Sequence, residues 1–147
     1  MTSESANRIR ESFKLLAPQI ERVTHDFYHR VFTARPDVRS LFRGDMKTQQ
    51  QHLSAALGLI VRNLTLLDAL AGSFQQLGAD HARIGVRPEH YPLVRDAMIE
   101  SFSSVLSANG AWTAELADDW RALLDQIATH MLQGGLSAAA NGLDVRM

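Results

Sequence analysis

The sequence predicts an all-α fold, and three observations carry that expectation. Apolar residues recur at helical spacing along almost the whole chain. No segment keeps the alternation of a half-buried strand. Helix-starting and helix-stopping residues fall between the periodic stretches. At 147 residues the chain suits one domain with its own core, expected over 1–134, with a flexible tail over 135–147.

Ser3 or Ser5 can cap a first helix carrying Ile9, Phe13 and Leu16 on one side. Pro18 suits the first turn of a second helix, where its missing N–H costs little. That helix presents Ile20, Val23, Phe27, Tyr28 and Val31. It stops near Arg35, because Pro36 disfavours helical backbone in the residue before it. A short helical turn, PDVRSLF, follows. Gly44 and Asp45 interrupt the pattern. Leu53, Leu57, Ile60 and Leu64 then mark one face of a helix over about 46–64. Asp68 can open the next, with Leu70, Phe74 and Leu77 before Gly78. Gly85 and Pro88 in ARIGVRPE make a turn and a fresh start. Two long helices, about 88–106 and 113–132, complete the domain, the second capped by Thr113. The terminal GGLSAAANGLDVRM is small and Gly-rich, which favours fraying.

Composition removes several function classes. Apolar residues make up 46% and charged residues 21%, the balance of an ordinary globular protein. A net charge of −1 offers no broad positive field, so neither nucleic acid nor a membrane surface is an expected partner. With no cysteine, disulfides and thiolate chemistry are excluded. MTSESANRIRESF lacks the apolar run of a signal peptide, and no stretch approaches the roughly 18 apolar residues of a spanning helix. A cytoplasmic protein is expected.

The six histidines are the available soft ligands for a metal. His25, His29, His90 and His130 lie among polar neighbours or near helix ends and read as solvated surface. His81 differs. It follows Leu77 by four residues, Phe74 by seven and Leu70 by eleven, so it shares their face. Such a histidine is either a buried side chain satisfied by a backbone carbonyl or a metal ligand, and spacing alone does not choose.

Three segments taken together carry a resemblance that bears on the choice. FYHRVFTARPDVRSLF, then QQQHLSAALGLIVRNL, then LGADHARIGVRPEHYPLV place Phe27-Tyr28 ahead of Pro36, Pro36 six residues before Phe42, and a His-x3-Gly-x2-Pro-x2-Tyr run from His81 to Tyr91. Over roughly residues 8 to 133 the chain resembles the bacterial globins. The similarity is to the globin domain of flavohaemoglobins and their single-domain relatives. The resemblance implies a three-on-three helical sandwich around haem b, with iron held by His81. A porphyrin needs a flat apolar slot and one strong axial nitrogen, and a second group commonly orients the imidazole through Nδ1.

The same resemblance implies the other pocket residues. Phe42 packs on the porphyrin edge, and Tyr91 lies in the proximal pocket. Tyr28 is the distal tyrosine, able to donate a hydrogen bond to dioxygen that has taken on partial negative charge. On the distal helix Gln49 contacts the gas ligand, and Leu53, four residues on, lines the same pocket. His52 then points to the haem edge or solvent, within reach of a propionate. The rival register makes His52 the ligand-facing residue and Ala56 its apolar partner.

The chain also departs from flavohaemoglobins. It contains no GxGxxG or comparable phosphate-binding loop, so a separate reductase is the expected source of electrons. Leu124 stands where a tyrosine is usual and Ser137 where a glutamate is usual. That glutamate makes the proximal imidazole more anionic, which favours oxygen–oxygen cleavage. Its loss moves the expected role toward reversible oxygen binding, storage or delivery. Conversion of nitric oxide to nitrate and gas sensing are the alternatives. Carbon monoxide and sulfide are further candidate ligands.

Overall fold

The computed structural model describes the backbone of residues 1–146 and the side chains through residue 139. Among the described residues there is no strand, and 84% of the chain is helical, as the periodicity predicts. Helix α1 (Ser3–Leu16) starts where the Thr2 hydroxyl accepts the Ser5 N–H at 3.0 Å, ahead of both serine caps expected. Pro18 sits in a 3-10 turn, Ala17–Gln19, that leads into α2 (Ile20–Ala34). Pro36 opens a second 3-10 segment, Pro36–Leu41. The Asp45 carboxylate caps α3 (Met46–Arg62) by accepting the Lys47 N–H at 3.0 Å. Then come α4 (Ala71–Arg83), α5 (His90–Leu106) and α6 (Ala114–Arg146). The Thr113 hydroxyl caps α6 by accepting the Leu116 N–H at 3.1 Å.

Several boundaries differ from expectation, since α4 opens at Ala71 rather than Asp68 and α5 at His90 rather than Pro88. Helix α4 runs through Gly78 to Arg83, so His81 lies within its last turn. Helix α6 continues past residue 134 to Arg146, where the Gly-rich composition suggests a tail, and Met147 lies outside the described residues.

The core forms where α1, α2, α5 and α6 meet, with Ile9, Leu16, Val23, Val31, Phe102, Leu106, Trp120 and Leu123 essentially inaccessible. Each such side chain contributes roughly 1.5–3 kcal/mol of burial free energy. Phe102 and Trp120 pack ring on ring at 4.6 Å, and the Trp120 indole N–H donates to the Ser12 hydroxyl at 3.0 Å. Between α2 and α5, Asp26 accepts from the buried Ser101 hydroxyl at 2.8 Å and from Arg30 at 2.7 Å. Burial pushes the Asp26 carboxyl up, but the hydrogen bonds from Arg30 and Ser101 outweigh it and hold the group below its usual range.

Helix α4 packs chiefly on α6, and its buried side is not the one apolar spacing predicts. Phe74, Gly78 and Ala79 are buried, whereas Leu77 is 40% exposed and His81 is half-buried. The reason is steric. Gly78 carries no side chain, so the α4 backbone settles directly against Met131 of α6. Leu77, next to that contact in the chain, stays on the solvent side.

Candidate functional site

The His81 ring is held by its own helix. Its Nδ1–H donates to the carbonyl of Leu77, one turn back, at 2.8 Å. That bond selects the tautomer in which Nε2 carries a free lone pair. The carbonyl acceptor expected for a buried histidine is therefore present, yet the ring is only half-buried. Leu77 and Ile84, four residues before and three after His81, are exposed apolar side chains.

Beyond His81 the backbone turns sharply. The Ile84 and Val86 N–H groups both donate to the His81 carbonyl, at 3.2 and 3.0 Å. Gly85 takes φ +106°, a left-handed conformation that a side chain would strain. A Cβ there would also lie 3.0 Å from Leu41 Cδ2, so the corner after α4 abuts the segment that carries Phe42.

Tyr28 sits in an aromatic group that the sequence only partly foresees. Its ring meets Phe27 at 4.9 Å, Phe42 at 5.4 Å and Phe32 at 5.8 Å. Phe32 was absent from the sequence expectation, although its spacing of four from Tyr28 on α2 is the signal that finds it. The Tyr28 ring is 8% exposed and its hydroxyl has no hydrogen-bond partner among the described residues. Burial pushes that hydroxyl up to about 12, so it stays protonated and able to donate.

On α3, Gln49 and Leu53 are half-buried one turn apart, and Leu53 packs against the core. His52 is exposed and Ala56 is half-buried. Tyr91 is half-buried near the start of α5, where burial raises its hydroxyl pKa. Leu124 packs against the core, and Ser137 is exposed.

Two of the histidines assigned to solvated surface are not there. His90 is buried, and its Nδ1 accepts the Arg87 N–H at 2.9 Å, closing the turn before α5. His130 stacks on Phe74, centroids 6.3 Å apart, with Nδ1 buried and unpartnered among the described residues. Polar sequence neighbours concealed both. His25 and His29 are exposed, as expected.

Among the described residues no three His, Cys, Asp or Glu side chains converge to hold a metal ion. A metal at His81 must therefore bring its other ligands with it, as a porphyrin iron does. One oriented imidazole, exposed apolar side chains beside it and a half-buried aromatic at Phe42 fit such a planar apolar group.

The Globin family model matches residues 25–131. The chain belongs to the globin family. Haem is the cofactor of that family, and the donor set of this globin fits it. The chain is 32% identical over 145 residues to a flavohemoprotein of Bordetella pertussis, covering 92% of this chain and 36% of that protein. It thus spans about a third of the length of the flavohemoproteins it matches. A bacterial globin of Campylobacter jejuni superposes with a TM-score of 0.80 at 21% identity, over 95% of this chain and 99% of the other. A flavohemoglobin of Malassezia yamatoensis, solved with FAD and heme, superposes with a TM-score of 0.76 at 19% identity, over 95% of this chain and 37% of the other. Among the described residues no helix of this globin is long and apolar enough to cross a membrane.

Proposed function

We propose that this globin binds haem b through His81 and takes up dioxygen reversibly, with Tyr28 and Gln49 slowing its release. Haem, held by His81, would supply an iron able to take a diatomic gas. The observation that carries the reading is the His81 Nδ1–Leu77 hydrogen bond, which fixes the imidazole and leaves Nε2 without a protein partner among the described residues. A carbonyl is a weaker acceptor than a carboxylate, so the imidazole keeps its neutral character. A neutral ligand suits reversible binding better than bond cleavage.

Tyr28 contributes a hydroxyl on a mostly buried ring, with no side-chain or backbone partner among the described residues, available to a gas ligand that carries negative charge. Gln49 adds a second donor from α3, and Leu53 walls the same side with apolar surface. Phe42 packs against Tyr28 and would supply apolar surface to the porphyrin. Tyr91 would help to hold the haem, and exposed His52 would be free to meet a propionate. The gas ligand is dioxygen, with nitric oxide, carbon monoxide and sulfide as competitors, and the compartment is the cytoplasm.

Oxygen-binding kinetics of the haem-loaded protein test this. A stable ferrous–oxygen spectrum with slow release is expected. Rapid autoxidation with no isolable oxygen complex removes the storage or delivery role. Sustained turnover of nitric oxide with an added reductase replaces it with nitric oxide dioxygenation.

A further inference from the structure

Helix α4 rests on α6 backbone to backbone, and this crossing reaches the residue beside His81. A Cβ at Gly78 would come within 1.9 Å of the Met131 carbonyl oxygen, and one at Gly134 within 1.8 Å of the Gln75 carbonyl oxygen. The contacts are reciprocal: each glycine meets the residue three before the other. Gly135 extends them, since a Cβ there would lie 3.5 Å from the Ala82 Cβ, an ordinary van der Waals contact. Phe74 and His130 stack across the same pair of helices. The family match ends at residue 131, so Gly134 and Gly135 lie outside it.

We propose that Gly78 and Gly134 are positioning residues that set where His81 presents Nε2. This rests on His81 being the iron ligand. Side-chain-mediated helix contacts can slide, because rotamers adjust. Contacts between backbones cannot, because the carbonyls of Gln75 and Met131 are fixed by their own helices. His81 stands three residues beyond Gly78, and its ring is tied to the α4 backbone through Leu77. The position of its nitrogen therefore follows the α4 backbone, and that backbone follows α6. A methyl group inserted at either glycine must push the helices apart, since no flexible side chain is there to yield.

The test is the iron–histidine stretching frequency of the ferrous, haem-loaded full chain, together with the haem release rate. Gly134→Ala and Gly78→Ala should each shift the frequency and speed haem release about tenfold or more, the scale seen when groups orienting a metal ligand are altered. Gly72→Ala, whose Cβ would meet nothing within 4 Å, should change neither. A purely structural role predicts lower thermal stability with an unshifted frequency, and that result overturns the proposal.

The absence of native cysteine permits an arm that does not depend on the wedge variants folding. The contact between Gly135 and Ala82 matches the Cβ separation of disulfides, about 3.5–4.5 Å. Ala82→Cys with Gly135→Cys should cross-link in the haem-loaded protein and leave the iron–histidine frequency unchanged. If Gly134→Ala fails to fold, this pair decides, and failure to cross-link overturns the proposal. The ligand assignment fails separately: His81→Ala retaining haem with the wild-type spectrum refutes it. Loss of haem in His81→Ala, with no response in the glycine variants, refutes the positioning role alone.

Discussion

Tyr28 on α2 and Phe42, just past the 3-10 segment, meet edge to face with ring centroids 5.4 Å apart. The contact joins two stretches separated by the Pro36 corner and fixes the tyrosine ring without using its hydroxyl. Packing and hydrogen-bond donation at Tyr28 are therefore separable by mutation.

Tyr28→Phe keeps the ring and removes the donor. A hydrogen bond to a charged acceptor contributes about 1.5–3 kcal/mol, which corresponds to gas release roughly ten- to a hundredfold faster. Oxygen dissociation by stopped flow should show that acceleration, with thermal stability of the haem-free chain little changed. An unchanged release rate would remove Tyr28 from the distal site.

The same burial gives a pH signature. Tyr28 titrates near 10 in an unfolded chain and is pushed up to about 12 when folded. The folded state therefore holds its proton more tightly. The stability this contributes is complete below about pH 10 and is lost as pH rises toward 12, on the order of 2 kcal/mol. Alkaline unfolding of the wild type should show that fall, and Tyr28→Phe should flatten it. Oxygen release should stay constant with pH up to about 10, because the donor keeps its proton.

Gln49 and His52 offer a clean contrast on α3, one half-buried and the other exposed. Gln49→Leu should speed oxygen release several-fold, while His52→Ala leaves it unchanged. The opposite pattern, with a low-spin ferric spectrum abolished by His52→Ala, would place the imidazole in the pocket.

How much of this was legible in the sequence depends on which force places each residue. Helix existence and most caps follow from local chemistry, so Asp45, Thr113 and Pro36 mark their boundaries directly. His81 emerged from spacing and from the motifs around it. The orientation of α4 did not, because hydrophobic periodicity weighs side chains, whereas Gly78 acts through lacking one. That is why Leu77 was expected inside with Phe74 and is exposed instead. His90 and His130 were misplaced for a related reason: their neighbours in sequence are polar, whereas His90 folds back on the Arg87 turn and His130 stacks on Phe74 of a distant helix. Phe32 was missed although its spacing from Tyr28 was in plain view.

The Ser12–Trp120 hydrogen bond supplies a test of the core far along the chain from the pocket motifs. Ser12 is 5% exposed and Trp120 inaccessible, so the indole N–H has no water to turn to if the hydroxyl is removed. Ser12→Ala should destabilise the chain by about 1–3 kcal/mol, the usual penalty for a buried donor left unpaired. Ser12→Thr keeps an acceptor at the same place but adds a methyl group to a packed site, so it should recover part of that loss. Denaturant unfolding of the haem-free chain measures both. Equal destabilisation by the two variants would show that volume at residue 12, rather than the hydrogen bond, holds α1 against α6.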